Sequence, residues 1–94
     1  MPQKPLKPTR IIQTAEFEKA FVGKGAIERK AITRALRLLK DDVYDPSLKV
    51  HKLKGWGNIR GAHATDNQVM SLLIEGSVVT LRTCCNHDDV YRHP

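Results

Sequence analysis

Long apolar runs are missing from this 94-residue chain; no stretch approaches the ~20 residues needed to span a bilayer. The opening Met-Pro-Gln-Lys-Pro-Leu-Lys-Pro also lacks the apolar centre of a signal peptide, so a cytoplasmic protein made without processing is expected. Cysteine is scarce. Cys84 and Cys85 are neighbours and on a strand would point to opposite faces, which argues against a structural disulfide between them and fits a reducing compartment. Neither Cys-x-x-Cys nor His-Glu-x-x-His occurs, so the usual zinc spacings are absent and no metal or other cofactor is expected. One Trp, two Tyr and two Phe are all the aromatics, and they limit the size of any core. Acidic residues are outnumbered, ten against sixteen Lys and Arg, for a net charge of +6. On so small a body that points to a polyanionic partner, either nucleic acid or an acidic protein, and charge does not choose between them. Repeats and low-complexity segments are absent too. What remains, 40% apolar and 28% charged residues, describes a globular chain with material for one domain over 1–94.

Residues 1–9 hold three prolines and two lysines and are expected to form a loose, flexible basic arm. Arg10-Ile11-Ile12-Gln13 reads as a short first strand. Thr14 is suited to cap a helix, with Glu16 and Glu18 in its first turn where the helix dipole favours anions. Phe17 and Phe21 lie four apart and share a face, which is placed against the sheet. Gly23 and Gly25 interrupt this helix, glycine being the residue that supplies a left-handed helix end. A second helix is expected over 26–40. Ile27, Ala31, Ile32, Ala35, Leu36, Leu38 and Leu39 form its broad apolar stripe, and Glu28, Arg29, Lys30, Arg34 and Arg37 mostly take the other side. Asp41, Asp42 and the Asp45-Pro46 turn end it. Beyond Leu48 the pattern changes to extended pieces over 50–53, 58–62, 69–74 and 78–85. Gly55-Trp56-Gly57, Asp66-Asn67 and Glu75-Gly76 supply the turns between them. The expected architecture is α+β: a short N-terminal strand and two helices packed on one face of a small antiparallel sheet of four to five strands, the other face partly open.

Three histidines fall in the extended half. His87 stands just past the β-rich run 77–85, where Asn86 to Asp89 should end the last strand and deliver an imidazole to the rim of the sheet. His51 and His63 fall in the segments expected to lie beside it. The ordered set His51-Lys-Leu-Lys-Gly-Trp-Gly, Arg60-Gly-Ala-His63 and Asn86-His-Asp-Asp-Val-Tyr91 resembles the RelE/ParE superfamily of bacterial toxins, and looks most like its YafQ-like branch. Members of that branch similarly carry His-x-Leu-x-Gly after two N-terminal helices, a second histidine on the next strand and a terminal Gly-(Ser/Thr)-His-x-x-(Leu/Val)-(Phe/Tyr). In element order the resemblance covers nearly the whole chain.

The resemblance implies a RelE-like fold and a toxin of a type II toxin–antitoxin system, acting as a metal-independent, ribosome-dependent mRNA endoribonuclease that inhibits translation. It implies a cognate antitoxin as partner, mRNA on the ribosome as substrate and a monomeric free toxin. By residue it puts His51, His63 and His87 in the active site as general acid/base or phosphate-binding groups, joined by an acidic residue after His63 and by the ring of Tyr91. The acidic position departs from the family. An ungapped alignment sets Asn67 where the family has aspartate and Gln68 where it often has tryptophan, while a slip of one residue restores Asp66. Cys-Cys-Asn before His87, in place of apolar-Gly-(Ser/Thr), is a second departure.

Cleaving RNA through its own 2'-hydroxyl needs a base for that proton, an acid for the leaving 5'-oxygen and positive charge near the nonbridging oxygens. Histidine serves as either acid or base near neutral pH. Lys52, Lys54, Arg60, Arg82 and Arg92 are the candidate RNA-binding cations, all in the same half of the chain. Tyr91 and Trp56 are suited to stack on an exposed base. A single histidine in a small basic domain is ordinarily a surface residue, so the assignment rests on the set, and His93 is read as solvated tail. Two other readings stay open: a ParE-like toxin of the same fold that inhibits a topoisomerase by protein contact, and a catalytically weakened RNA-binding domain.

Overall fold

The computed structural model describes residues 4–53 and 55–86, with the backbone alone at Cys85 and Asn86. Lys54, His87, Tyr91 and Arg92, all named above, lie outside the described residues. The element order is β1 (Arg10–Gln13), α1 (Ala15–Val22), α2 (Ala26–Asp41), a one-turn 3-10 helix (Pro46–Leu48), β2 (His51–Lys52), β3 (Ile59–His63), β4 (Gln68–Glu75) and β5 (Val78–Asn86).

Local chemistry accounts for most of these boundaries. The Thr14 hydroxyl accepts the Phe17 amide at 3.1 Å, satisfying one of the unpaired donors of a helix start. The same hydroxyl donates to the carbonyl oxygens of Leu81 at 2.8 Å and Arg82 at 3.0 Å, so the cap of α1 also ties that helix to β5. Gly23 closes α1 in a right-handed conformation, φ −74°, not in the left-handed one expected, and its N–H bonds Lys19 O at 3.2 Å. The two helices therefore meet at a tight corner whose second half is Gly25, the extended N-cap of α2. Along α2, Ile32, Ala35 and Leu39 are buried, whereas Ile27 at its first turn is 86% exposed. The apolar stripe thus meets the sheet only from its second turn onward.

The strands form one five-stranded sheet in the order β1-β5-β4-β3-β2. Four strands run antiparallel, and β1 joins β5 in parallel, with Ile11 opposite Val79. A parallel neighbour requires a crossover, and here the two helices supply it. Gly76, at φ +61°, takes the first position of the two-residue loop joining β4 to β5, where glycine has no steric penalty. The expected loose arm is tied down at two points. Leu6 N donates to Asp42 Oδ1 at 2.9 Å while Leu6 O accepts from Val43 N at 2.8 Å, and the hydroxyls of Thr9 and Ser77 meet at 2.8 Å.

One core lies between the helices and the sheet. Phe17, Ile32, Ala35, Leu39, Val43 and Leu48 pack there against Ala62, Met70, Leu72, Val79, Leu81 and Cys84. Alternation along the strands sends these sheet residues to one face, and their neighbours in sequence to the other. A register shift between Ser71 and Leu72 pairs Ser71 with Thr83 but Leu72 with Leu81. Arg82 is the extra residue of the resulting bulge, and a bulge of this kind increases local twist.

Candidate active site

The face of the sheet turned away from the helices carries both described histidines of the expected set. His51 of β2 pairs with Gly61 of β3, Gly61 with Ser71 of β4, and Ser71 with Thr83 of β5. Paired residues project to the same side, so these four form a row across the sheet. His63 lies on the same side two residues further along β3, opposite Val69. The His51 and His63 rings approach to 5.4 Å between centroids, with their planes at 38°. Two imidazoles separated by eleven intervening residues in the chain are thus brought side by side by the register of one strand pair.

The orientation of His51 has an identifiable cause. Its Nδ1 stands 2.9 Å from the carbonyl oxygen of Lys49. A carbonyl only accepts, so Nδ1 carries a proton and, in the neutral ring, Nε2 is left as the basic nitrogen. Lys49 itself is left-handed, φ 48° and ψ 46°, as the residue that closes the 3-10 turn. A non-glycine residue in that region costs of the order of 1 kcal/mol or more, and here the conformation aims a carbonyl at an imidazole.

Asp66, the acidic candidate, sits in the loop between β3 and β4 and faces Lys49, Oδ1 to Nζ at 3.8 Å, with its side chain 94% exposed. An ion pair so exposed contributes little, and it engages the Lys49 ammonium and not the carbonyl that holds His51. In the same loop the Thr65 hydroxyl accepts the amides of Asn67 at 3.3 Å and Gln68 at 3.0 Å, which pins the turn through the backbone. Of the expected cations, Lys52 pairs with Arg60 and Arg60 with Leu72. Leu72 belongs to the helix-side core, so register puts Lys52 and Arg60 on the opposite face from the two rings. Arg82 is exposed at the bulge of β5. Trp56 is 42% exposed in a compact loop closed by Trp56 N to Leu53 O and Ile59 N to Trp56 O, both 3.1 Å.

Three features of this site carry no mark in the sequence. Leu53 and Val69 are buried as completely as the core, at 1% and 0% exposure, yet stand outside the helix-side cluster. The Lys49 carbonyl is the third, and nothing in a Ser-Leu-Lys-Val string announces a left-handed lysine. Among the described residues no group of three or more His, Cys, Asp or Glu side chains gathers closely enough to hold a metal ion. No described helix is long and apolar enough to cross a membrane.

The fold, a mixed sheet with two helices on one face, is RelE-like, as comparison with solved structures shows. Among solved structures the chain is similar to the RelB–RelE antitoxin–toxin complex from Methanococcus jannaschii, with a TM-score of 0.72 and 18% identity over 88% of this chain and 98% of that one. It is similar as well to a copper-bound mutant toxin from Helicobacter pylori, TM-score 0.61 and 22% identity over 86% and 97% of the two chains. YafQ from E. coli gives a TM-score of 0.62 and 15% identity over 85% and 94%. No family model matches the sequence, and no curated protein matches it. At these identities the likeness is one of fold.

Proposed function

We propose that the chain is the toxin of a type II toxin–antitoxin system and acts as an endoribonuclease that cleaves mRNA at the ribosome through the substrate's own 2'-hydroxyl. The observation that carries this reading is the pair of imidazoles at 5.4 Å, one of them held with Nδ1 on a backbone carbonyl. Nε2 of His51 takes the proton of the 2'-hydroxyl as that oxygen attacks the adjacent phosphorus. His63, on the other side of the phosphate, protonates the departing 5'-oxygen. The products are a 2',3'-cyclic phosphate and a free 5'-hydroxyl, and no metal is called for. His87, Tyr91, Lys54 and Arg92 enter by sequence alone, as phosphate-binding, stacking and charge-neutralising groups, with Arg82 as a further cation. Asp66 contributes no direct contact to the rings in this reading, and Lys52 and Arg60, on the other face, add only to the overall attraction for a polyanion.

Induced in cells, the parent is expected to arrest growth and leave mRNA fragments that end in cyclic phosphate. His51→Ala and His63→Ala should each lower cleavage by about 10²- to 10⁴-fold. If both variants arrest growth and cut as the parent does, the assignment is wrong. The partner in this reading is an acidic antitoxin segment. A groove of about 530 Å³ on the outer side of α2 is lined by Ile27, Lys30, Ala31, Thr33, Arg34 and Arg37, and its cations around an exposed isoleucine suit an acidic amphipathic chain. Its affinity should fall steeply with salt, and more weakly for Arg34→Glu/Arg37→Glu; a flat salt response would leave apolar contact as the main attraction.

A further inference from the structure

Glycine in the middle of a strand gives up side-chain packing and chain entropy, so its place there calls for a reason, commonly the close approach of another group. Gly61 is the middle residue of β3. It is not a turn residue and not one of the glycines at positive φ. A Cβ built on it would stand 3.1 Å from His51 Cε1, 3.2 Å from Leu53 Cδ2 and 3.2 Å from Val69 Cγ1. All three contacts are tighter than ordinary van der Waals separation, which for carbon pairs is about 3.5–4.0 Å. The bare Cα is therefore covered on three sides, and one of the covering groups is an imidazole of the candidate site.

We propose that Gly61 is the positioning residue of the histidine pair: its missing side chain is the space in which the His51 ring lies across β3 to reach His63. The three neighbours would not yield equally to a methyl group. Leu53 and Val69 are fully buried, and moving them disturbs packing on every side. His51 is only partly buried and is oriented by the 2.9 Å contact of its Nδ1 with Lys49 O. The ring is the group that gives. It shifts from β3 by a few tenths of an ångström, which lengthens the Lys49 contact and loosens the hold on its tautomer. Leu53 and Val69 act as side walls of the same slot, which explains two buried apolar residues outside the helix-side core.

The catalytic consequence rests on the nuclease reading; the geometry does not, and the experiment separates them. Nuclear magnetic resonance on the full chain should show an Overhauser contact between the His51 and His63 ring protons, and ¹⁵N shifts of the Nδ1–H tautomer at His51. In Gly61→Ala both signatures should weaken, the Overhauser effect falling and the ¹⁵N shifts moving toward averaged tautomers, while the backbone shifts away from β2 and β3 stay in place. Cleavage of RNA should then fall about ten- to a hundredfold in kcat with little change in KM. A Gly61→Ala chain that keeps the ring contact and the tautomer overturns the proposal. Should that variant fail to fold, the pair His51→Ala/Gly61→Ala decides: a folded chain identifies the ring as the obstacle, and an unfolded one assigns the glycine to Leu53 and Val69 and overturns it. Weakening of both signatures in a protein whose parent never cuts RNA would uphold the positioning role and remove the nuclease reading.

Discussion

On the helix-covered face of the sheet, Ala62, Met70, Leu72, Val79, Leu81 and Cys84 meet Phe17, Ile32, Ala35 and Leu39 in a continuous apolar layer. On the opposite face the same strands present His51, Gly61, His63, Ser71 and Thr83, interleaved with only a few buried apolar residues such as Leu53 and Val69. The first face stabilises the fold by removing large side chains from water, and its residues are interchangeable so long as volume is kept. The second face does little of that work. It holds two rings at a set distance, and its particular residues matter for where those rings lie. Alternation in a strand lets the two tasks share one backbone without interfering.

The sharpest way to break this comparison is at Leu72, which is fully buried on the helix side. Leu72→Ala should cost about 2–5 kcal/mol, a drop in melting temperature of some 4–8 °C per kcal/mol for a chain of this size, measurable by calorimetry. The spacing of the histidine pair should survive it wherever the variant is still folded. Ser71, its neighbour on the other face, should behave in the opposite sense. Its hydroxyl is buried and has no hydrogen-bond partner, and an unsatisfied buried hydroxyl is unfavourable by roughly 1–3 kcal/mol. Ser71→Ala is expected to leave stability unchanged or raise it by up to about 1 kcal/mol in denaturant titration; a loss of several would mean that the row is a stability element after all.

The smallest effect expected lies outside both faces. Hydrogen bonds from the Ser47 hydroxyl, and then from the Ser47 amide, hold the Asp45 carboxyl below the ordinary carboxylate range. A depressed value in the folded state means a stabilising contribution that is fully present above the ordinary value of about 3.9 and is lost as pH falls through the lowered one. Asp45→Asn should therefore lower stability slightly at neutral pH, and the difference from the parent should vanish as pH falls below about 4 and the parent's own carboxylate takes up its proton. A difference that persists undiminished in acid would show that the turn needs Asp45 for a reason other than its charge.

The elements themselves were readable from local chemistry. The first strand spans Arg10–Gln13 as expected, Thr14 caps α1, and α2 runs one residue beyond the expected end. Caps and 3.6-residue periodicity act over a few residues, so a linear reading captures them. Long-range pairing escaped it. The parallel placement of β1 beside β5, the bulge at Arg82 and the exposure of Ile27 depend on how far each element extends over its neighbour. Gly23 differs from expectation because glycine at a helix end suggests a left-handed residue, whereas the short link to α2 is made in right-handed geometry.

For the candidate site the division is similar. The resemblance carried by the ordered motifs implies His51 and His63, and element order implies an α+β arrangement, but Lys52 and Arg60 fall on the other face from the rings. Which side of the sheet each side chain takes was decided only by register. With a side-chain period of two, a slip of one residue in the β2–β3 pairing would send His51 to the helix face and leave Lys52 beside His63. The register that forms instead sets His51 against a glycine, and that pairing allows two rings to approach within 5.4 Å. Local propensities chose the strands; only the packed sheet fixed which residues face one another, because pairing register is set by contacts between segments far apart in the chain.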